Sequence, residues 1–208
     1  TAQFYKDTVA FAEEHQVGIV SDFAYGAIGF DGNQPLSFLQ TAGAKSVGIE
    51  TYTFSKTFNM AGWRVGFAVG NADMLAALNL IQDHLFVSIF PAIQDAAIAA
   101  LAQRKQRTDA VGQLQAVYES RRNAFINAVR SFNWEPYVPK GAFYVLMPVP
   151  KGYTSAQFAE LLLNRANVAV ADASGFGDAG EGYVRVGLTI TEDRLVEAAN
   201  RIKALNLF

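Results

Sequence analysis

At 208 residues, 51% hydrophobic and 17% charged, the chain is long enough for one large or two small domains with a substantial apolar core, and too apolar for disorder. Its formal net charge of −2 provides no basic field for nucleic acid or an anionic membrane, which favours a small-molecule partner. The absence of cysteine excludes disulfides, zinc–thiolate sites and cysteine nucleophiles, and fits a reducing cytoplasm.

Nothing approaches the roughly 20 uncharged apolar residues of a membrane helix, and the first residues lack the layout of a secretory signal. The sequence starts at Thr1 in a helical pattern, which reads as a fragment of a longer protein. Residues 2–15 place Tyr5, Val9 and Ala12 on one side and Lys6, Glu13 and Glu14 on the other, predicting a surface helix. Residues 18–21 follow as a short, nearly all-apolar strand of the kind buried in α/β proteins. Asp22 falls just past its end, where open α/β sheets bind ligands, although the same position also suits a turn cap.

Residues 27–45 show no sustained period and read as a loop with a short turn. Phe30 and Phe38 make that loop apolar, so it is expected to cover a site or a partner subunit. Residues 47–54 and 65–69 read as two further strands, with Ser55, Lys56 and Arg64 between them. Lysine and arginine are rarely placed in apolar surroundings without a partner, which points to an anionic or electrophilic ligand. Burial disfavours an ammonium group, and the free amine attacks a carbonyl to form a Schiff base, whereas a guanidinium grips phosphate or carboxylate through paired hydrogen bonds. An aldehyde carrying a phosphate would occupy both.

Asn71 is predicted to cap a helix with Leu75, Leu78 and Leu85 on its buried side, and Pro91 opens another ending near residue 104. The longest helical pattern runs over residues 109–132, with Arg121 and Arg122 on the wet side. It leads into a second unit, with a boundary near residue 106. There, residues 141–146, 168–170 and 183–188 read as strands, Thr154 to Gln157 as a capping box for a helix reaching residue 163, and Thr191 as the cap of a final helix. The glycine-rich stretch 174–180 reads as a loop, with Asp178 and Glu181 solvated. Arg185, flanked by apolar residues, suits a carboxylate clamp or the solvent face of an edge strand. His15 and His84 lack a second ligand at metal spacing, so no metal site is assigned. Trp63 and Phe58 read as pocket wall or core.

The string Ser55-Lys56, then Asn59-Met60, Gly62 and Arg64-Val65-Gly66, resembles the lysine signature of the class I/II aminotransferases, which bind pyridoxal 5'-phosphate on fold type I. Thr53 stands where that pattern usually has Ser or Gly, which keeps a hydroxyl for the phosphate and adds a methyl. Asp22-Phe23-Ala24-Tyr25 resembles the family's Asp-x-x-Tyr element, and the string around Arg185 its C-terminal arginine. The resemblance implies an α/β fold: residues 1–105 as the remainder of a large domain with a mostly parallel sheet and flanking helices, and residues 106–208 as a connecting helix and a smaller α/β domain.

It further implies a cytoplasmic homodimer with a shared active site, moving an amino group from an amino acid to a 2-oxo acid through a Schiff base on Lys56. Asp22 would pair with the ring nitrogen, Tyr25 would bond the phenolic oxygen, Arg64, Ser55 and Thr53 would hold the phosphate, and Arg185 would orient the substrate. A carbon–sulfur β-lyase using the same residues, or the aminotransferase-like module of a transcription regulator, are the alternatives.

Overall fold

The computed structural model describes residues 1–105 and 110–208, which divide into two compact units, Thr1–Leu114 and Gln115–Phe208. The expected boundary near residue 106, and the expected helix start at Asp109, lie outside the described residues. In the first unit the Thr1 hydroxyl accepts from the Phe4 amide at 3.2 Å and caps α1 (Ala2–His15), which buries Val9 and Ala12. A three-stranded sheet follows, with β2 (Gly48–Thr53) at its centre, parallel to β1 (Ile19–Asp22) and antiparallel to β3 (Gly66–Gly70). Asp22 is therefore the last residue of its strand rather than the first beyond it.

Phe38, in a 3-10 turn (Phe38–Gln40), and Phe30 are fully buried, so the apolar rings of this loop fill the unit's own interior. Phe38 packs with Val9 of α1 and Ala44 of α2 (Ala44–Val47), and its ring lies so near Gly48 that a Cβ there would come within 2.9 Å. Beneath this cluster Glu50 is fully buried. Its carboxylate accepts from the Ser21 hydroxyl at 3.2 Å, the Ser37 hydroxyl at 2.7 Å, the Phe38 amide at 2.7 Å and the Tyr52 phenol, tying β1, the loop and β2 together. Burial, and then the bond to Glu50, push the Tyr52 phenol above its ordinary value near 10.0.

Past β2 come α3 (Phe54–Thr57), a 3-10 turn (Ala61–Trp63) and, beyond β3, α4 (Ala72–Leu85), capped by the Asn71 side chain, which accepts from the Met74 amide at 2.9 Å. The expected buried face of α4 is not buried: Leu78 is 42% and Leu85 70% exposed. Apolar residues run right round this helix, so no single stripe is selected, and Met74 supplies the contact to Gly18 of the sheet side. From α5 (Pro91–Lys105), Ala97 joins Phe54 and Val65 in a second apolar cluster.

The helix α6 (Ala110–Arg130) runs into the second unit, where it buries Tyr118, Phe125, Ile126 and Val129. Arg122 is also buried, at 2% exposure, contrary to the expected wet face. It is satisfied there by donating to the Pro139 carbonyl at 3.0 Å and the Asn123 side chain at 2.9 Å, with Glu119 3.8 Å away. The sheet of this unit is wholly antiparallel, with β6 (Tyr183–Gly187) between β4 (Tyr144–Pro148) and β5 (Ala171–Asp172). Residues 168–170, expected as a strand, precede β5.

The capping box forms as expected on α7 (Ser155–Leu161), which passes into a π-helical turn (Leu162–Ala166). Residues 174–180 are not a plain loop but belong to two 3-10 turns (Ala173–Phe176 and Asp178–Gly180). Glu181 is exposed, as expected, and also accepts from the Ser155 amide at 2.9 Å. The final helix α8 (Glu192–Lys203) buries Leu195, Ala199 and Ile202; Thr191 sits at its N-cap, but its side chain caps no helix amide. The Thr191 hydroxyl nonetheless holds the nearby Asp193 carboxyl below its ordinary value. No helix among the described residues is long and apolar enough to cross a membrane.

Thr154→Ala should lower stability by about 1 kcal/mol and Thr154→Ser should retain most of it, read from urea midpoints. The Tyr52 proton is held more tightly in the fold than out of it. Its stabilising contribution is complete below the ordinary tyrosine value and is lost as pH rises through the raised one. Wild-type stability should therefore fall more steeply than that of Tyr52→Phe between about pH 9 and pH 12, measured by urea midpoint against pH.

Candidate active site

Because β1 and β2 are parallel, their carboxyl ends open on one edge of the sheet, and the candidate side chains of the first unit lie on the segments that leave it there. Asp22 stands opposite Thr51, and the pairing runs one step further through the Phe23 amide, which donates to the Thr51 carbonyl at 3.0 Å. Asp22 is exposed; one oxygen accepts from the Ala24 amide at 3.2 Å, and its second meets no donor among the described residues. The carboxylate thus serves as a turn cap and a candidate ligand at once. The turn it caps carries Tyr25, whose ring centroid lies 5.9 Å from the Lys56 Nζ.

Lys56 owes its position to the residues before it. Thr53 ends β2, and its Oγ1 accepts from the Ser55 amide at 3.1 Å, capping α3 while leaving the hydroxyl hydrogen to donate elsewhere. Phe54 turns inward, 3% exposed, against Val65 and Ala97. Its amide donates to the Val65 carbonyl at 3.2 Å, and its carbonyl accepts from the Met60 amide at 3.2 Å. Ser55 and Lys56 are half-buried on the following residues.

The same closure places Arg64. It adopts a left-handed backbone, φ 53°, at the end of the 3-10 turn, a conformation rare for a side-chain-bearing residue and familiar at helix C-termini. Arg64 Nη1 donates to the Ala61 carbonyl at 3.0 Å, and the rest of the exposed fork finds no acceptor among the described residues. Beside the turn lies a cavity of about 150 Å³, lined by Phe23, Tyr52, Thr53, Phe54, Phe58 and Phe67. It is an apolar back wall, and the charged groups lie outside it. Phe58 packs on Phe54, as core; Trp63 is 47% exposed.

In the second unit Arg185 occupies the central strand β6, which removes the reading of an edge-strand arginine. Its guanidinium carbon lies 4.2 Å from the centroid of Tyr144 and 4.0 Å from that of Phe176. The sequence reading missed both rings. Strand alternation places Tyr144 on the face of Arg185, whereas no local pattern brings in Phe176. His15 packs its ring on Phe11 and His84 Nδ1 lies 2.8 Å from the Leu80 carbonyl; no group of described residues is arranged to hold a metal.

The sequence profile of the family described as aminotransferase class I and II matches residues 1–202. The chain is 60% identical, over its whole length and 52% of the relative's, to the L-glutamine–4-(methylsulfanyl)-2-oxobutanoate aminotransferase of Bacillus subtilis. It is 41% identical, over 98% of its length and 51% of the relative's, to an LL-diaminopimelate aminotransferase of Trichormus variabilis. Among solved structures, an aminotransferase from Staphylococcus aureus superposes with a TM-score of 0.93 at 39% identity, covering all of this chain and 55% of that one. The chain thus spans about half the length of the relatives it matches.

Proposed function

The chain belongs to the class I and II aminotransferases, whose members use pyridoxal 5'-phosphate, and we propose that the whole protein moves an amino group from an amino acid to a 2-oxo acid. Residues 1–105 would complete its large cofactor-binding domain, and residues 106–208 would supply the connecting helix and small domain. The observation that carries this reading is the Lys56 Nζ held 5.9 Å from the Tyr25 ring, on the turn joining Thr53 to Arg64.

The donor set fits a phosphorylated aldehyde with a basic ring. Lys56 has the one group that bonds covalently to an aldehyde carbon, Arg64 has unused donors suited to phosphate, and Thr53 has a hydroxyl hydrogen to add. Asp22 keeps an unmatched carboxylate oxygen for the ring nitrogen, Tyr25 would bond the phenolic oxygen and Ser55 would join the phosphate. When bound, the cofactor supplies an electron sink for the carbanion that forms at the substrate's α-carbon.

The remaining work falls to this chain. The Lys56 Nζ takes the proton from the substrate α-carbon as general base and returns one as general acid. Asp22 would be the carboxylate that pairs with the ring nitrogen, where a negative charge favours the protonated ring. Arg185 holds the substrate carboxylate through paired N–H donors, so that the α-hydrogen is presented in one orientation. A homodimer with a shared site in the cytoplasm completes the reading, supported by family membership and the absence of cysteine. At 60% identity, glutamine and 4-(methylsulfanyl)-2-oxobutanoate are the first substrate pair to assay.

The full-length protein with added cofactor should show a cofactor absorbance band that borohydride shifts. Peptide mapping should then find the label on Lys56, and Lys56→Ala should lose about 10²- to 10⁴-fold in transamination rate. A label on another lysine, or 2-oxo acid release without an amino acceptor, would overturn the proposal.

A further inference from the structure

Arg185 is held in an unusual way for a cation in a sheet. The residues directly opposite it are Leu146 on β4 and Ala171 on β5, neither of which offers a side-chain acceptor. Beyond the backbone ladder, no side-chain hydrogen bond or ion pair joins the Arg185 guanidinium to any described residue; it lies over two rings, at 4.2 and 4.0 Å. Tyr144 reaches it along the diagonal of the antiparallel pair, since Tyr144 faces Gly187 while Arg185 faces Leu146.

Phe176 arrives at the end of the 3-10 turn after β5. That turn is fixed by the Asp172 carboxylate, which accepts from the Ser174 amide at 2.9 Å and the Ser174 hydroxyl at 2.8 Å. Phe176 remains 63% exposed, so burial of its own surface does not account for its place.

The two rings solve a specific problem. An arginine that must grip a carboxylate needs its plane fixed, yet a resident carboxylate partner would occupy the same N–H donors and compete with the ligand. The π faces attract the positive charge and align the guanidinium plane, but they accept none of its five in-plane N–H groups in the geometry a carboxylate uses.

We propose that Tyr144 and Phe176 are positioning residues for substrate carboxylate binding, acting through Arg185; this rests on the reading of Arg185 as the carboxylate clamp. Both the amino acid and the 2-oxo acid carry that carboxylate, so both half-reactions depend on the rings.

The test uses the full-length holoenzyme. Phe176→Leu and Tyr144→Leu should each raise KM for amino acid and 2-oxo acid about fivefold, with kcat changed less than twofold and the cofactor absorbance unchanged. Phe176→Tyr should restore the wild-type KM, because the ring and not the volume is required. In an Arg185→Gln background, whose own KM should rise at least tenfold, Phe176→Leu should add nothing further.

If Arg185→Gln leaves KM unchanged, the clamp reading itself fails. If Arg185→Gln raises KM but neither leucine variant does, the clamp stands and the positioning role is overturned. It is equally overturned if the leucine effects persist undiminished without Arg185, or if Phe176→Tyr fails to restore KM.

Discussion

The first unit depends on one hydrogen bond placed just beyond its strands. The β2–β3 ladder ends at the pair Thr53 and Gly66, and the Phe54 amide carries it one residue further by donating to the Val65 carbonyl at 3.2 Å. Residues 54 to 65 are therefore a loop closed at its base, with Lys56 two residues from one end and Arg64 one residue from the other. Gly66 permits this approach, since a Cβ there would lie 2.5 Å from the Tyr52 carbonyl oxygen. Phe54 adds the apolar anchor, so the turn is held by backbone and by packing at once. Below it, Glu50 fixes β1 to β2, and with that the distance from Asp22 to the lysine turn.

Three arginines show how the same side chain is used differently in one chain. Arg122 is buried and satisfied by fixed protein acceptors, which gives it a structural role. Arg64 commits one nitrogen to its own turn and keeps the rest of its fork at the surface. Arg185 commits none to the described residues and leans on two rings. Composition and alternation do not separate these cases. What separates them is which acceptors each guanidinium meets after folding.

Much of the first unit was legible because its signals are local. Asn71 caps the helix assigned to it, and the three apolar runs of this unit became strands within one residue of their expected bounds, just as Thr154 caps its helix in the second unit. The lysine and aspartate strings lie at the strand ends that sequence assigned. What escaped is non-local. Glu50 gave no sign of burial, because three of its four donors come from residues 12 to 29 positions away. Phe30 and Phe38 belong to a stretch without periodicity, so only the fold reveals that they fill the interior. Phe176 meets Arg185 through a turn whose shape depends on Asp172. The apolar circumference of α4 carried no phase from which a buried side could be chosen.

The central claim is that one strand-end turn supplies both the covalent anchor and the phosphate grip. The most direct measurement is a crystal structure of the full-length protein grown with pyridoxal 5'-phosphate. The account predicts continuous density from the Lys56 Nζ, phosphate oxygens about 3 Å from the Arg64 guanidinium, and the ring nitrogen at a similar distance from Asp22. Cofactor bound elsewhere, or its phosphate held by other groups while Arg64 donates to the Ala61 carbonyl alone, would contradict it.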